Sequence, residues 1–322
     1  MKEYQSIARS AENILELDLD EVPTLVEGII AKKGIAVLAG SSDLGKSYFL
    51  QQLSMAVASE AANFLDFKLD ISIPSVLYVS TEDDDHSMCV RLKQLKSFAK
   101  NNGLENLNFL FSSRDILSTI TQEIILKPVS LIIIDAFADV FRGNINDTTS
   151  VRAFMEPFKE LANQHECSIL FNHHCGKHNQ YKIPSKDNLL GSQGIEGCMR
   201  TVMEFRKDIN DKSKRHLCVV KGNNIKEEDK EESFELIFDF KQGFSSTGHR
   251  CAFETLQQKK NGVMSKDLGN KIFTMHQSGQ SMRKISDSLK ENDGIIVSKS
   301  TVSEILKKRP NDKLDPDNEK MI

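Results

Sequence analysis

The stretch GSSDLGKS, residues 40–47, constrains the fold of this chain more than any other sequence feature. It matches the pattern G-x-x-x-x-G-K-[ST], follows an apolar strand-like run, and precedes a helix-like run. Glycines at these positions let backbone N–H groups close around a phosphate at a helix N-terminus. The stretch therefore predicts a strand, a phosphate-binding loop and a helix in succession. The alternative is a glycine turn that only leads into a helix.

The residue types assign roles within this loop. Lys46 is predicted to reach the β- and γ-phosphates of a nucleoside triphosphate, and the Ser47 hydroxyl to bind Mg²⁺. We expect the nucleotide to contact the loop and the first residues of the helix, namely Gly40, Ser41, Ser42, Asp43, Leu44, Gly45, Lys46, Ser47 and Tyr48.

Short apolar runs rich in β-branched residues alternate with helix-like segments. This alternation is typical of a mainly parallel sheet with helices on both faces, so the predicted fold class is α/β. Helices are predicted at 46–59, 89–100 and 150–164. Strands are predicted at 35–38, 76–79, 131–134 and 168–172, with antiparallel additions to the same sheet at 201–205, 217–220 and 234–240.

Two predicted strands end on acidic residues, as a nucleotide site with Mg²⁺ requires. Asp135 ends the run LIIID, at the strand end where open α/β sheets place their ligands, and is predicted to bind the metal. Glu82 follows the run VLYVS and is the candidate general base. The next three acids, Asp83 to Asp85, are expected to cap the following helix. The alternative for Asp135 and Glu82 is an ordinary strand-end turn.

The stretch FNHHCGKH, residues 171–178, looks like a metal site but has unsuitable geometry. His173 and His174 are adjacent at a strand end, so they point to opposite faces, and Cys175 and His178 do not complete a tetrahedral set at a usual spacing. We predict instead that one of the two histidines faces the γ-phosphate and senses whether ATP or ADP is bound.

Charge and cysteine usage exclude some protein classes. The formal net charge is −4, so nucleic acid must be bound by local patches and not by a global positive field. The six cysteines contain no C-x-x-C pair, and the first residues lack the apolar stretch of a signal peptide, which predicts a reduced, cytoplasmic protein. No apolar run approaches the roughly 18 residues of a membrane span, so no membrane association is expected.

The C-terminal part has a different pattern. We predict an ATPase domain over 1–242, a linker at 243–260 and a disordered tail at 310–322. Between the last two, 261–309 reads as three short helices. Their expected apolar faces are Leu268, Ile272, Met275 and His276, then Met282, Ile285 and Leu289, then Val302, Ile305 and Leu306, with Ser298 and Ser300 as N-cap candidates.

This C-terminal part is basic. Residues 259–309 carry eleven lysines and arginines against five acidic residues, a balance of +6. The segment SGQSMRKISDSLKENDGIIVSKSTVSEILKK resembles the helix-turn-helix of resolvases and small regulators, although its turn is longer than usual. The resemblance implies that Ser298, Lys299, Ser300 and Thr301 face base edges or phosphates of DNA. The alternative is a helical module that packs on a protein.

The order of motifs, GSSDLGKS, STEDD, LIIID and NHHCGK, resembles the RecA-fold ATPases of the RepA type over residues 20–240. These are hexameric plasmid replicative helicases with relatives among recombination ATPases of phages and mobile elements. The resemblance implies a RecA-like core with ATP and Mg²⁺ as cofactors, and Glu82 as the catalytic glutamate. His173, His174 and Lys177 match the family's double histidine followed by lysine.

The resemblance also implies partners. Subunits of such rings place basic groups against the neighbour's γ-phosphate, and Arg200 and Lys221 fit that role, although Asn223 stands where a second arginine is common. Loops at 142–150 and 177–194 would face DNA in the channel, and the second carries Lys177, Tyr181, Lys182 and Lys186. We therefore expect a homohexameric, DNA-stimulated ATPase, most simply a replicative helicase of a plasmid or mobile element, that meets replication or recombination proteins. The alternatives are an ATP-switched DNA-binding regulator and a recombination or defence ATPase that remodels protein–DNA complexes without unwinding.

Overall fold

The structure is a computed structural model that describes residues 8–99, 103–112, 114–176, 178–222, 225–258, 266–293 and 297–307. The chain divides into two compact units, the first ending at Gln258 and the second beginning at Lys259. None of the helices in the described ranges combines the length and apolar character that a membrane crossing requires.

The first unit is built on one large sheet flanked by two small hairpins. Its strands are β1 Thr24–Val26, β2 Ile30–Ala31, β3 Gly34–Gly40, β4 Asn63–Phe64, β5 Phe67–Lys68, β6 Val76–Ser80, β7 Leu107–Leu110, β8 Leu131–Asp135, β9 Ser168–His174, β10 Thr201–Lys207, β11 Lys214–Gly222, β12 Glu232–Asp239 and β13 Gly243–Ala252.

Within the described residues, the large sheet has nine strands in the order β13-β12-β11-β10-β3-β9-β8-β6-β7. The strands from β7 to β10 along this order pair in parallel, and the pairs from β10 to β13 are antiparallel. This confirms the predicted mainly parallel sheet with antiparallel additions. The hairpins β1–β2 and β4–β5 were not predicted, because runs of two or three residues carry no periodic signal.

The helices of both units follow. They are α1 Ala11–Leu15, α2 Lys46–Ala58, α3 Asp85–Leu95, α4 Ile116–Leu126, α5 Phe137–Val140, α6 Thr148–Gln164, α7 Ser192–Cys198, α8 Lys266–Gln277, α9 Met282–Asp293 and α10 Lys299–Lys307.

The sheet buries an apolar core on each face, as a doubly covered parallel sheet must. Helix α2 packs on one face together with Leu170 of β9, whereas α4 and α6 pack on the other face together with Ile169 and Phe171 of the same strand. All five residues of β8 are buried. The strand β3 lies near the centre of the sheet, so the loop that follows it rests on a rigid support.

The prediction of a linker at 243–260 is wrong. Residues 243–252 form the edge strand β13, which pairs with β12, and a 3-10 helix follows at Phe253–Leu256. The run is mostly polar because an edge strand needs few buried side chains. Phe244 supplies the main contact: it is buried, its ring stacks on Phe238, and its backbone exchanges two hydrogen bonds with the Gln52 amide of α2. The first unit therefore extends past the predicted boundary at 242.

The second unit has a small apolar core. Ile272, Ile285, Leu289 and Val302 are fully buried, one or more from each predicted helix. Ser298 is the N-cap of α10, since its Oγ accepts a hydrogen bond from the Thr301 amide (3.1 Å). His276 does not lie on the apolar face as expected but is exposed, because Ile272 and Met275 already fill that face. Residues 310–322, the predicted tail, lie outside the described residues.

Candidate functional site

The loop between β3 and α2 has the shape that its glycines predicted. Gly45 adopts a left-handed conformation (φ 85°), and a Cβ atom there would lie 2.9 Å from the Phe238 ring. A Cβ atom on Gly40 would lie 3.0 Å from the Phe205 carbonyl oxygen. A side chain at Gly45 would therefore be strained by the backbone conformation and crowded by Phe238, and a side chain at Gly40 would require its neighbours to shift. The loop opens onto the N-terminus of α2, which points its free amides at the cavity.

Lys46 is held inside this loop. Its side chain is 6% exposed, and its Nζ donates to the carbonyl oxygens of Gly40 (3.1 Å) and Ser41 (2.8 Å). Burial lowers the pKa of Lys46, and the carboxylates of Asp135 and Glu82 partly offset that effect. Among the described residues, the hydrogen-bond partners of this ammonium group are neutral carbonyl groups. A phosphate in the loop can replace them as a stronger, charged partner.

Asp135 is fixed by two residues that the sequence did not single out. The buried Tyr78 hydroxyl on β6 donates to Oδ2 of Asp135 (2.6 Å), and the Asn172 amide on β9 donates to Oδ1. Burial and the nearby carboxylate raise the pKa of Tyr78 well above its usual value, so the phenol stays a donor. Strand alternation places the polar Asn172 on the same face as the buried Leu170, and only the pairing of β9 with β8 brings it to Asp135.

The acidic residues that follow β6 have different roles. The Asp84 carboxylate accepts the Ser87 amide (2.8 Å) and caps α3, and Asp83 forms an ion pair with Arg91 (2.5 Å). Glu82 instead lines the cavity at the phosphate loop, with no hydrogen-bond partner among the described residues. Burial raises the pKa of Glu82, and the carboxylates of Asp135, Asp139 and Asp83 raise it further. A carboxyl group in this setting suits proton transfer.

The cavity at the phosphate loop has a volume of about 460 Å³. One wall carries flat side chains: the Arg91 guanidinium lies 5.6 Å from the Tyr48 ring centre, and the Phe240 ring lies 5.8 Å from it. Planar groups of this kind suit a nucleobase, which is itself flat and apolar on its faces. Of these three residues the sequence indicated only Tyr48, because Phe240 comes from the distant turn after β12.

The two adjacent histidines point to opposite sides of the sheet. His174 lines the cavity, and burial together with the Lys46 charge lowers its pKa. His173 is buried on the other face, where its ring meets Phe137 edge-on and its Nε2 donates to the Leu190 carbonyl (2.8 Å). A direct role of His173 at the nucleotide is therefore excluded by strand alternation, and His174 is left as the candidate sensor.

The segment that follows β9 is held by contacts with the end of that strand, the phosphate loop and β10. Cys175 pairs with Leu189, which brings the described residues 178–188 back to the end of the strand. Asn179 accepts a hydrogen bond from the Ser41 hydroxyl of the phosphate loop (3.1 Å) and donates to Glu204 (3.0 Å). Glu204 forms a fully buried ion pair with Arg206 (2.7 Å). The phosphate loop therefore touches the predicted DNA loop directly.

The surface of this segment carries part of the predicted DNA set. Lys182 and Lys186 are exposed and Tyr181 is half-buried, while Lys177 lies outside the described residues. A cleft of about 330 Å³ separates this segment from the other predicted loop, and Asn146, Thr148 and Lys182 are among its lining residues. The structure thus brings the two predicted channel loops together. In the second unit, Lys299, Ser300 and Thr301 are exposed at the start of α10.

Arg200 and Lys221 do not reach the phosphate loop of their own chain. Arg200 lies beside the start of β3, where its amide donates to the Ile35 carbonyl (2.9 Å). Lys221 pairs with Val202 in the sheet, and its ammonium contacts Glu196. Neither residue lines the cavity. In the described residues, neither side chain is therefore placed to contact a phosphate in the cavity of its own chain.

Comparisons with known proteins agree with this geometry. A family model described as AAA domain matches residues 5–180, which include every cavity-lining residue discussed above apart from Phe240. The solved structure of the ATPase domain of G40P is similar with a TM-score of 0.55 at 13% identity, covering 73% of this chain and 95% of that domain. No curated protein sequence matches the chain. The structural likeness confirms the predicted RecA-like α/β fold.

Proposed function

The chain belongs to the AAA domain family, and we propose that it is a ring-forming ATPase whose hydrolysis of ATP is stimulated by DNA and drives movement on DNA. The observation that supports this most is the direct contact between the phosphate loop and the loop with exposed lysines, through Ser41 and Asn179. We place the protein among RepA-type replicative helicases of plasmids or mobile elements, as a homohexamer in the cytoplasm that works beside replication or recombination proteins.

The residues present fit ATP with Mg²⁺. The glycines leave room for phosphate against the loop, and Lys46 is buried beside them with only carbonyl partners. Ser47 and Asp135 would hold the metal, which supplies positive charge to the β- and γ-phosphate oxygens. Tyr78 and Asn172 keep the Asp135 carboxylate in one orientation. Tyr48, Arg91 and Phe240 would hold the base.

Glu82 is proposed to take the proton of the attacking water. It lines the cavity on the side of the acids, and Asp83 and Asp84 are engaged elsewhere. Arg200 and Lys221 are proposed to act on the γ-phosphate bound by the neighbouring subunit, where each would stabilise the charge that develops during phosphoryl transfer. Their absence from their own cavity supports an action between subunits.

DNA is proposed to contact two surfaces. Single strands would meet Lys177, Tyr181, Lys182 and Lys186, whose ammonium groups suit a phosphate backbone and whose ring suits a base. Duplex DNA would meet the second unit through Lys299, Ser300 and Thr301. The excess of basic residues over 259–309 favours this second contact, and it also favours the alternative function of a DNA-binding regulator switched by ATP.

We test the proposed function by measuring ATP hydrolysis with no DNA, with single-stranded DNA and with duplex DNA, alongside the mass of the particle with an ATP analogue. The expected result is a ring whose hydrolysis rises with single strands. The same chain without residues 259–322 should keep the single-strand effect and lose duplex binding. A rate of ATP hydrolysis that single-stranded DNA does not change, together with tight duplex binding, would instead indicate the DNA-binding regulator. A monomer that does not bind DNA, and whose ATP hydrolysis DNA does not change, would contradict both functions.

His174→Ala is expected to lower DNA-stimulated hydrolysis several-fold while leaving DNA-free hydrolysis close to that of the wild type. The physical reason is that His174 lies in the cavity at the strand end that continues into the lysine-bearing loop. His173→Ala is the matched comparison. It removes a buried ring and its hydrogen bond, so it should cost about 2–4 kcal/mol of unfolding free energy. Unchanged stimulation in folded His174→Ala protein would remove His174 as the sensor.

A further inference from the structure

One carboxylate in the first unit binds two lysines that the proposed function assigns to different tasks. Oε1 of Glu196, on helix α7, lies 3.1 Å from Nζ of Lys186 and 3.1 Å from Nζ of Lys221. The ammonium group of Lys221 also donates to the Glu196 backbone carbonyl (2.7 Å). Lys186 belongs to the proposed DNA loop, and Lys221 is proposed to reach the neighbouring subunit.

The three side chains are placed so that each lysine can leave. The exposed fractions are 46% for Lys186, 24% for Lys221 and 19% for Glu196, so the carboxylate is the most enclosed of the three. Lys186 is the most exposed of the three, so a phosphate in solvent has access to its side chain. Lys221 is the last residue but one of β11. A phosphate must compete with the Glu196 carboxylate for the ammonium group of either lysine.

Electrostatics sets the sign of the coupling between the two lysines. Each ammonium is attracted by the carboxylate and repelled by the other ammonium, since the two nitrogens share one oxygen atom as neighbour. When one lysine leaves, that repulsion ends and the remaining lysine is held more tightly. A phosphate that takes Lys186 therefore strengthens the hold on Lys221, and the reverse is equally true, as linkage requires.

We propose that Glu196 is a positioning residue that lets a subunit use either Lys186 on DNA or Lys221 on its neighbour's ATP, but opposes the use of both at once. This rests on the proposed function and adds an order of events to it. A subunit that holds DNA through Lys186 retains Lys221 on Glu196, so DNA stimulates hydrolysis of the neighbour's ATP less at that interface than at an interface whose Lys186 is free of DNA. When Lys221 moves to the neighbour's γ-phosphate, Lys186 returns to Glu196 and its hold on DNA ends.

In the part of the chain that the structure describes, no carboxylate other than Glu196 pairs with both Lys186 and Lys221. The neighbouring α6 carries Arg152, Glu156 and Lys159 near Cys198, at the end of α7. Glu156 forms its ion pair with Lys159 (3.2 Å) within its own helix, so it is already engaged. Glu196 is thus the carboxylate on which Lys186 and Lys221 converge in the described residues.

The test compares Glu196→Gln with wild type in two measurements on the full chain. Gln keeps the shape of the side chain but removes the charge, so both lysines are held less tightly, and Lys221 keeps its hydrogen bond to the backbone carbonyl of residue 196. We expect binding of single-stranded oligonucleotide to tighten, and DNA-free ATP hydrolysis to rise, by about two- to fivefold each, the range that such partly exposed ion pairs allow. Glu196→Asp should behave more like wild type. Glu227→Gln, which removes the carboxylate paired with Lys230, is the matched control and should change neither.

A second variant separates this role from a structural one. Lys186→Met should lower DNA-free hydrolysis in the wild-type background, because Lys221 is then held more tightly, and should leave it unchanged in the Glu196→Gln background. An equal effect in both backgrounds would overturn the proposal. So would folded Glu196→Gln protein that hydrolyses ATP and binds DNA as wild type does. If wild type itself shows no DNA stimulation, or if Lys221→Met hydrolyses normally, the proposed function fails first and the proposal falls with it.

Discussion

Lys46→Ala is expected to weaken ATP binding roughly a hundredfold or more and to end detectable hydrolysis, as loss of one partner of an enclosed charge pair typically does. The physical reason is that Lys46 is the cation at the loop, and its present partners are two neutral carbonyl oxygens. Nothing else in the loop carries a positive charge. Fluorescent nucleotide titration measures the binding, and phosphate release measures the turnover.

The fold should not suffer from this change. Burial lowers the pKa of Lys46, which means that enclosing the charged ammonium group costs the folded protein free energy. Without nucleotide, the melting temperature of Lys46→Ala should therefore equal that of wild type or exceed it. Lys33→Ala, which removes a half-exposed lysine paired with Glu166, is the control for loss of charge alone. Folded Lys46→Ala protein that binds ATP normally would show that the loop is only a turn.

Glu82→Gln is expected to bind ATP and stop hydrolysing it, with a loss of about 10²–10⁴-fold in turnover, the usual contribution of a general base. Gln retains the size of the side chain but cannot accept the proton from water. Because ATP would stay bound, this variant should also hold its oligomer and its DNA longer. Single-turnover hydrolysis and nucleotide titration on the same sample separate the two effects. Asp85→Asn, an exposed neighbour in the first turn of α3, should hydrolyse normally.

The pH dependence follows from the same residue. Burial and the surrounding carboxylates raise the pKa of Glu82, so the base is protonated at a higher pH than an ordinary glutamate would be. Turnover should therefore decline as pH falls through this raised pKa, and the decline should be absent from the residual rate of Glu82→Gln. Should Glu82→Gln turn over at the wild-type rate, the base lies elsewhere, and Asp139, which accepts a hydrogen bond from Thr81, is the next nearby acid to replace.

The central fold could be predicted from the sequence because its strands are short, apolar and fully buried. Two apolar runs, LIIID and the run before GSSDLGKS, are too short and too apolar to fit much other than a buried strand, and both end beside the ligand site. The strand β13 could not be predicted in this way, because its mostly polar residues lie at the edge of the sheet and show no alternation of apolar and polar side chains. The apolar helix α4 was also missed, since its run ILSTITQEIIL does not distinguish a helix from a strand by composition.

Some residues of the candidate site could likewise be predicted from the sequence, and others could not. Motif residues such as Lys46 and Asp135 are indicated by local pattern, because the loop and its strand are contiguous in the chain. Tyr78, Asn172 and Phe240 were missed because their roles depend on which strands become neighbours. Glu196 was missed for the same reason, since its two lysines lie 10 and 25 residues away along the chain and meet it only in the fold.

The buried pair of Glu204 and Arg206 has a consequence for how this sequence can evolve. Glu204 is 0% exposed and Arg206 is 3% exposed, and both bind the backbone or amides of the segment after β9. Replacing either one alone leaves an uncompensated charge in the interior, at a typical cost of about 3–5 kcal/mol, whereas an apolar pair of similar volume is often tolerated. Any lineage that exchanges the pair must pass through a poorly folded single mutant. The two positions are therefore expected to change together among descendants of this chain, or to remain as they are.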